Sequence, residues 1–174
     1  MIEVLLADLV AVEAEGILRS VSSDLTSDTA LSRALELAAG SGVAERLSAM
    51  GDLPVGGAVI TPAGDLNASF LIHAVIQSPE EPVTETGTRL GLQNGLRRAE
   101  EWGLETLALP PLGTGAGNLD AEASAGLMVP LLQDHLLSFD HPGRVTLVVG
   151  SEYEEDVFRQ AVEVARRRTS ALEN

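Results

Sequence analysis

The chain has 174 residues, 45% of them hydrophobic, no cysteine, and a formal charge of -15 from 26 acidic and 11 basic side chains. That length and apolar content suit one domain with a real core, and the absence of cysteine excludes disulfides, thiolate metal sites and thiol nucleophiles. The negative field excludes a broad nucleic-acid or anionic-membrane footprint, while a small anion can still be held locally.

In chain order, Met1 to Asp8 carries acids where a secretion signal needs a basic region, and no stretch is apolar over the thickness of a bilayer; the expected compartment is the cytoplasm, with no membrane partner. Short apolar runs over 2–6, 16–20, 58–61, 69–75, 106–109 and 144–149 read as six strands. The first helix is expected from near Asp28 to Gly40, since Leu31, Ala34, Leu35 and Ala38 fall on one face and glycine suits the position past its end. Further helices are expected over 43–50, 88–102 (with the stripe Leu92, Leu96 and Ala99), 119–137 with Asp120 as N-cap, and from Ser151 onward. There Ser151 and Glu154 have capping-box spacing, and the acids of the first turn complement the helix dipole. Residues 79–87 read as a long surface loop and 167–174 as a frayed tail. Strands alternating with helices predict an α/β fold, a three-layer sandwich around a mixed or mostly parallel sheet.

The segment from Ala108 to Asn118, Ala-Leu-Pro-Pro-Leu-Gly-Thr-Gly-Ala-Gly-Asn, falls between a buried strand and a helix. Alternating glycines there let a ligand approach main-chain N–H groups, which is how a phosphate is held without lysine. The chain contains no lysine; all its basic residues are arginine. A dinucleotide-binding fingerprint is excluded: position 118 is asparagine, the loop comes late, and Asp134 and Asp140, at the right distance, flank a helix end. A P-loop lacks its Gly-Lys-Ser/Thr, and a serine hydrolase its G-x-S-x-G elbow. His73, inside an apolar strand, reads as a core histidine, and His135 and His141 lack a third clustered metal ligand.

Three stretches carry a resemblance to a known family. Ile2 to Leu9 resembles the first strand and Gly-Asp-Ile/Leu element of the macro domains, which bind ADP-ribose and related nucleotides. The stretches from Gly57 to Leu66 and from Phe70 to Val75 resemble their paired central strands, and Leu107 to Gly117 their second phosphate loop. The resemblance implies a macro domain-like α/β/α sandwich with a mixed six-stranded sheet. It also implies roles: Asp8 accepting from the adenine amine, the Leu9 N–H supporting the ring, Ser22 near the ribose, Gly113, Thr114, Gly115, Ala116 and Gly117 presenting N–H groups to the diphosphate, and Asn118 reaching the distal sugar, with Ser20 and Leu31 as further ligand-binding residues. The chain departs from the family after the second strand. Where the family has Asn-Ala-Ala-Asn and then a glycine-rich loop, it reads Arg19-Ser20-Val21-Ser22 and then Ser27-Asp28-Thr29-Ala30. Those side chains oppose the φ > 0 backbone of a glycine loop, and Asp28 opposes a diphosphate. The residues associated with hydrolysis are missing, so a binding module for ADP-ribose, a related adenine nucleotide or an ADP-ribosylated protein is expected, without catalytic residues, metal or cofactor. The alternatives are a degenerate domain used as an interaction scaffold or for another ligand, and a weak ADP-ribosyl hydrolase.

Overall fold

The computed structural model describes residues 1–115 and 118–172. Six strands form one sheet: β1 (Ile2–Leu6), β2 (Gly16–Ser22), β3 (Ala58–Pro62), β4 (Phe70–Gln77), β5 (Thr106–Leu109) and β6 (Arg144–Val149). Their order is β1-β6-β5-β2-β4-β3, parallel throughout except for β3, which runs antiparallel to β4. Five helices, α1 (Ala30–Ala39), α2 (Ser41–Met50), α3 (Glu85–Glu101), α4 (Ala121–Ser138) and α5 (Glu152–Leu172), cover the two faces, and a short 3-10 turn (Leu9–Ala11) follows β1.

The alternation of side chains along each strand divides the interior into two clusters. Leu18, Ile72, Leu107, Leu147 and Val149 join residues of α3, α4 and α5, including Leu92, Leu96, Met128, Leu132 and Phe158. Their neighbours Ile17, Val21, Leu71, Val75, Ala108 and Val148 point the other way, onto Leu35, Ala39, Val43 and Leu47 of α1 and α2. Burial of each large side chain contributes roughly 1.5–3 kcal/mol, so both faces must stay covered. Strands so buried read as continuous apolar runs, the pattern the sequence carries.

All six strands and five helices form where the sequence predicts them, with two corrections. The expected loop over 79–87 ends sooner, because Thr84 Oγ1 accepts the Gly87 N–H at 3.0 Å and starts α3 at Glu85. The expected frayed tail over 167–174 is helical as far as Leu172. Arg166 Nη2 donates to the Ile2 carbonyl at 2.9 Å and Gln133 Nε2 to Thr169 Oγ1 at 3.3 Å, tying that last stretch to β1 and α4. Glycines set the depth of α3: a Cβ on Gly95 would lie 2.5 Å from Leu18 Cδ1 and one on Gly91 3.1 Å from Ile76 Cγ2, so the helix rests directly on the sheet.

No helix among the described residues is long and apolar enough to cross a membrane.

Candidate functional site

A cleft of about 210 Å³ opens at the C-terminal ends of β2, β5 and β6, lined by Arg19, Ser20, the start of α1, Pro110, Pro111, Gly113 to Gly115, Gly150 and Glu154. Open α/β sheets bind ligands at that end of the strands. Two loops make the opposing walls.

The first wall is built on β2. After it the chain folds into a tight turn in which the Ser22 N–H donates to the Thr26 carbonyl at 2.9 Å and the Leu25 N–H to the Ser22 carbonyl at 2.8 Å. Leu25 holds φ at 67° and fills the core with its side chain, 1% exposed. Residues 27–30 thereby follow without a glycine, and none of them has a positive φ. Thr29 Oγ1 accepts the Ser32 N–H at 3.1 Å as N-cap of α1, and the Arg33 N–H reaches the Thr29 carbonyl. The amides of Ala30 and Leu31 are the two left over at the helix start, at the edge of the cleft.

Arg19 holds this wall from below. It lies on the face of β2 that carries Ile17 and Val21 and is fully buried. Its Nε donates to His73 Nδ1 at 2.8 Å, and its Nη1 donates to Ser27 Oγ at 2.8 Å and to the carbonyl and Oγ of Ser32, both at 3.1 Å. Nη2 stands 3.6 Å from Glu36 Oε1, whose other oxygen accepts from Ser27 Oγ at 3.1 Å. Because arginine only donates, His73 Nδ1 must be an acceptor. The ring proton is then on Nε2, facing Thr61 Oγ1 at 2.9 Å. His73 is thus the satisfied core histidine expected of it. Burial first, and the Arg19 charge second, push its pKa well below the ordinary histidine value. Burial also lowers the Arg19 pKa, against the raising effect of Glu36 and Asp28, and the guanidinium stays charged.

Asp28 stands at the rim of the same network. Its Oδ1 accepts from Ser20 Oγ at 2.9 Å, while Oδ2 is buried without a hydrogen-bond partner among the described residues. Burial raises its pKa, and the Ser20 hydroxyl, its own backbone N–H and Arg19 oppose that rise.

The second wall is the loop after β5. Gly113 has φ of 83° and no room for a Cβ, which would lie 2.5 Å from Leu119 Cδ1. Its carbonyl accepts the Leu119 N–H at 3.2 Å and turns the loop toward α4, whose N-cap Asp120 accepts from Ala123. Among the described residues, no hydrogen bond takes up the amides of Gly113, Thr114 or Gly115. A Cβ on Gly115 would fall 2.6 Å from Thr29 Cγ2, so the two walls meet where Thr29 lies on Gly115.

The residues expected from the sequence divide accordingly. Ser20, Leu31, Gly113, Thr114 and Gly115 come together around the cleft. Ala116 and Gly117 lie outside the described residues. Ser22 spends both backbone groups in its turn and does not line the cleft. Asn118 Nδ2 donates to the Val83 carbonyl at 3.2 Å, away from the lining residues. Asp8 caps the 3-10 turn, accepting the Val10 N–H at 3.0 Å with its carboxylate exposed, and the Leu9 side chain is in the core. Glu154, expected only to serve a helix dipole, lines the cleft and accepts the Gly150 N–H at 3.1 Å. The Arg19 network went unread, although one signal was present: a cation inside the apolar run Ile17-Leu18-Arg19-Ser20-Val21 must find partners.

The family model described as "Macro domain" matches residues 19–128, more than half of the chain. A macro domain-containing protein of Caldanaerobacter subterraneus is 28% identical over 93% of this chain and 95% of its own length. A protein of Klebsiella pneumoniae named O-acetyl-ADP-ribose deacetylase is 29% identical over 91% of this chain and 94% of its own. A variant of the Oceanobacillus iheyensis macrodomain solved with ADPR superposes with a TM-score of 0.85, covering 95% of this chain and 94% of its own at 21% identity. The sheet order and the extent of the family match agree, and the chain belongs to the Macro domain family.

Proposed function

We propose that the cleft is a binding site for ADP-ribose or a related adenine nucleotide, its diphosphate held by main-chain amides between the two walls. One observation carries the reading: Gly113, Thr114 and Gly115 line the cleft together with the start of α1, and no hydrogen bond among the described residues consumes their amides. Uncommitted amides and a helix start favour a negative group, which suits a protein with no lysine to offer. The solved relative of Oceanobacillus iheyensis is described with ADPR bound, which agrees. A cleft of about 210 Å³ is smaller than the ~300–1,000 Å³ usual for small-molecule sites, so it seats the diphosphate and adjoining sugar while the base lies beyond it, toward Asp8. One carboxylate oxygen of Asp8 holds Val10, and the group remains exposed to accept from an adenine amine.

Binding is favoured over turnover because, of the polar residues that the resemblance puts near the distal sugar, Ser22 does not line the cleft and Asn118 donates to the Val83 carbonyl. Titration calorimetry with ADP-ribose, ADP and AMP tests the reading. The expected result is saturable binding that Asp8→Ala weakens. Gly115→Val weakens it at least tenfold, because the new side chain meets Thr29 and forces the walls apart. Silence with all three ligands overturns it in favour of a scaffold or another ligand. Release of ADP-ribose from a modified protein by the wild type would replace it with a hydrolase.

A further inference from the structure

The first wall places a carboxylate directly behind the seat of an anion. Ser20 lines the cleft and Asp28 does not, yet Ser20 Oγ donates to Asp28 Oδ1 at 2.9 Å, so one hydroxyl separates the carboxylate from whatever occupies the cleft. Asp28 also directly precedes Thr29, whose side chain touches Gly115 on the opposite wall. Its second oxygen is buried with no hydrogen-bond partner among the described residues. The other charged groups facing this point are few. Arg19, from β2 below, is divided among His73, Ser27, Ser32 and Glu36. Glu36, from α1, is paired with Arg19. His73, from β4, is held as the neutral Nε2–H tautomer, and Glu154, from α5, adds a second negative group on the far side of the cleft. Arg19, which also lines the cleft, pulls against the burial of Asp28, but its charge is shared with Glu36 and offsets Asp28 only in part.

We propose that Asp28 sets the charge selectivity of the cleft: it admits a diphosphate only with a proton on its own carboxylate, so binding takes up a proton and weakens as pH rises. The inference rests on the nucleotide reading above. A protonated Asp28 keeps one oxygen to accept from Ser20 and loses its charge, which removes a repulsive neighbour from behind the anion. Burial already disfavours the ionised form. A dianion one hydroxyl away acts in the same direction. A ligand of smaller charge loses less as pH rises, which is the selectivity.

ADP-ribose is the suitable probe because its diphosphate is esterified at both ends and carries no terminal phosphate to titrate near pH ~6, as AMP and ADP do. Calorimetry from about pH 5.5 to about pH 8, in buffers of differing ionisation heat, is expected to show uptake of about one proton per ligand at the upper end, where the affinity falls about tenfold per pH unit. Asp28→Asn preserves an acceptor for Ser20 and is expected to abolish the proton uptake, flatten the pH profile and bind about tenfold tighter at neutral pH. The proton count is read on the unmodified protein, so it stands whether or not the variant folds. Binding without proton uptake, or an Asp28→Asn variant that binds more weakly, overturns the selectivity role and leaves the nucleotide reading intact. No binding of ADP-ribose by either protein at any pH overturns both.

Discussion

At the level of single residues, the cost of a misplaced charge organises this site. A charge inside a protein needs partners, and Arg19 has them from strand, helix and turn: His73, Ser27, Ser32 and Glu36. Arg19→Ala is expected to cost about 3–5 kcal/mol in urea unfolding, because it strips a donor from each of those groups at once. The two titrating neighbours of Arg19 respond to pH in opposite senses. The His73 pKa is depressed, so the unfolded chain binds its proton more readily, and the contribution of His73 is lost as pH falls below the unfolded value of about 6.5. The Asp28 pKa is raised, so its ionised form costs stability at every pH above the unfolded carboxylate value, a cost that is full above the folded value and disappears on acidification. The Asp28→Asn variant is therefore expected to melt higher than the parent at neutral pH, with the difference closing as pH is lowered, read by thermal unfolding across the range.

The elements follow from local chemistry, and their spacing from small residues. Thr29, Thr84 and Asp120 each accept an N–H three residues on and fix where α1, α3 and α4 begin. The sequence marked Asp120, while Thr84 was hidden in a stretch that read as loop. Its flanking prolines, acids and threonines are turn formers as readily as they are helix starts. Gly95 lets α3 lie on Leu18, so Gly95→Ala is expected to lose about 1–3 kcal/mol through displacement of the helix, measurable as a lower urea midpoint at unchanged m-value. The contact between Thr29 and Gly115 joins the two walls across 86 positions of sequence, and no periodicity could have announced it.

For the molecule as a whole, the charge of -15 opposes the ligand that the local amides favour. Salt screens the long-range field over about 8 Å at physiological ionic strength and leaves the short contacts in the cleft nearly untouched. The association rate for ADP-ribose is accordingly expected to rise as ionic strength increases from ~0.01 M to ~0.15 M, the reverse of a lysine-lined phosphate site, and stopped-flow mixing at several salt concentrations checks it.

The sequence by itself determined the six strands and five helices, the two-sided burial of the sheet and the glycine loop after β5, because apolar periodicity and glycine placement are local properties of the chain. It also marked the departure at Arg19 to Ser22 and at residues 27–30. Only the tertiary structure decided what that departure means. The partners of Arg19, the Ser20–Asp28 pair and the Thr29–Gly115 contact are formed by segments that meet only when β2, β4, α1 and the loop after β5 pack together. It also bonds both backbone groups of Ser22 within a turn and the Asn118 side-chain amide to the Val83 carbonyl. Which groups remain free to meet a ligand is settled by the packing that uses up the rest, and no short window of sequence contains that competition.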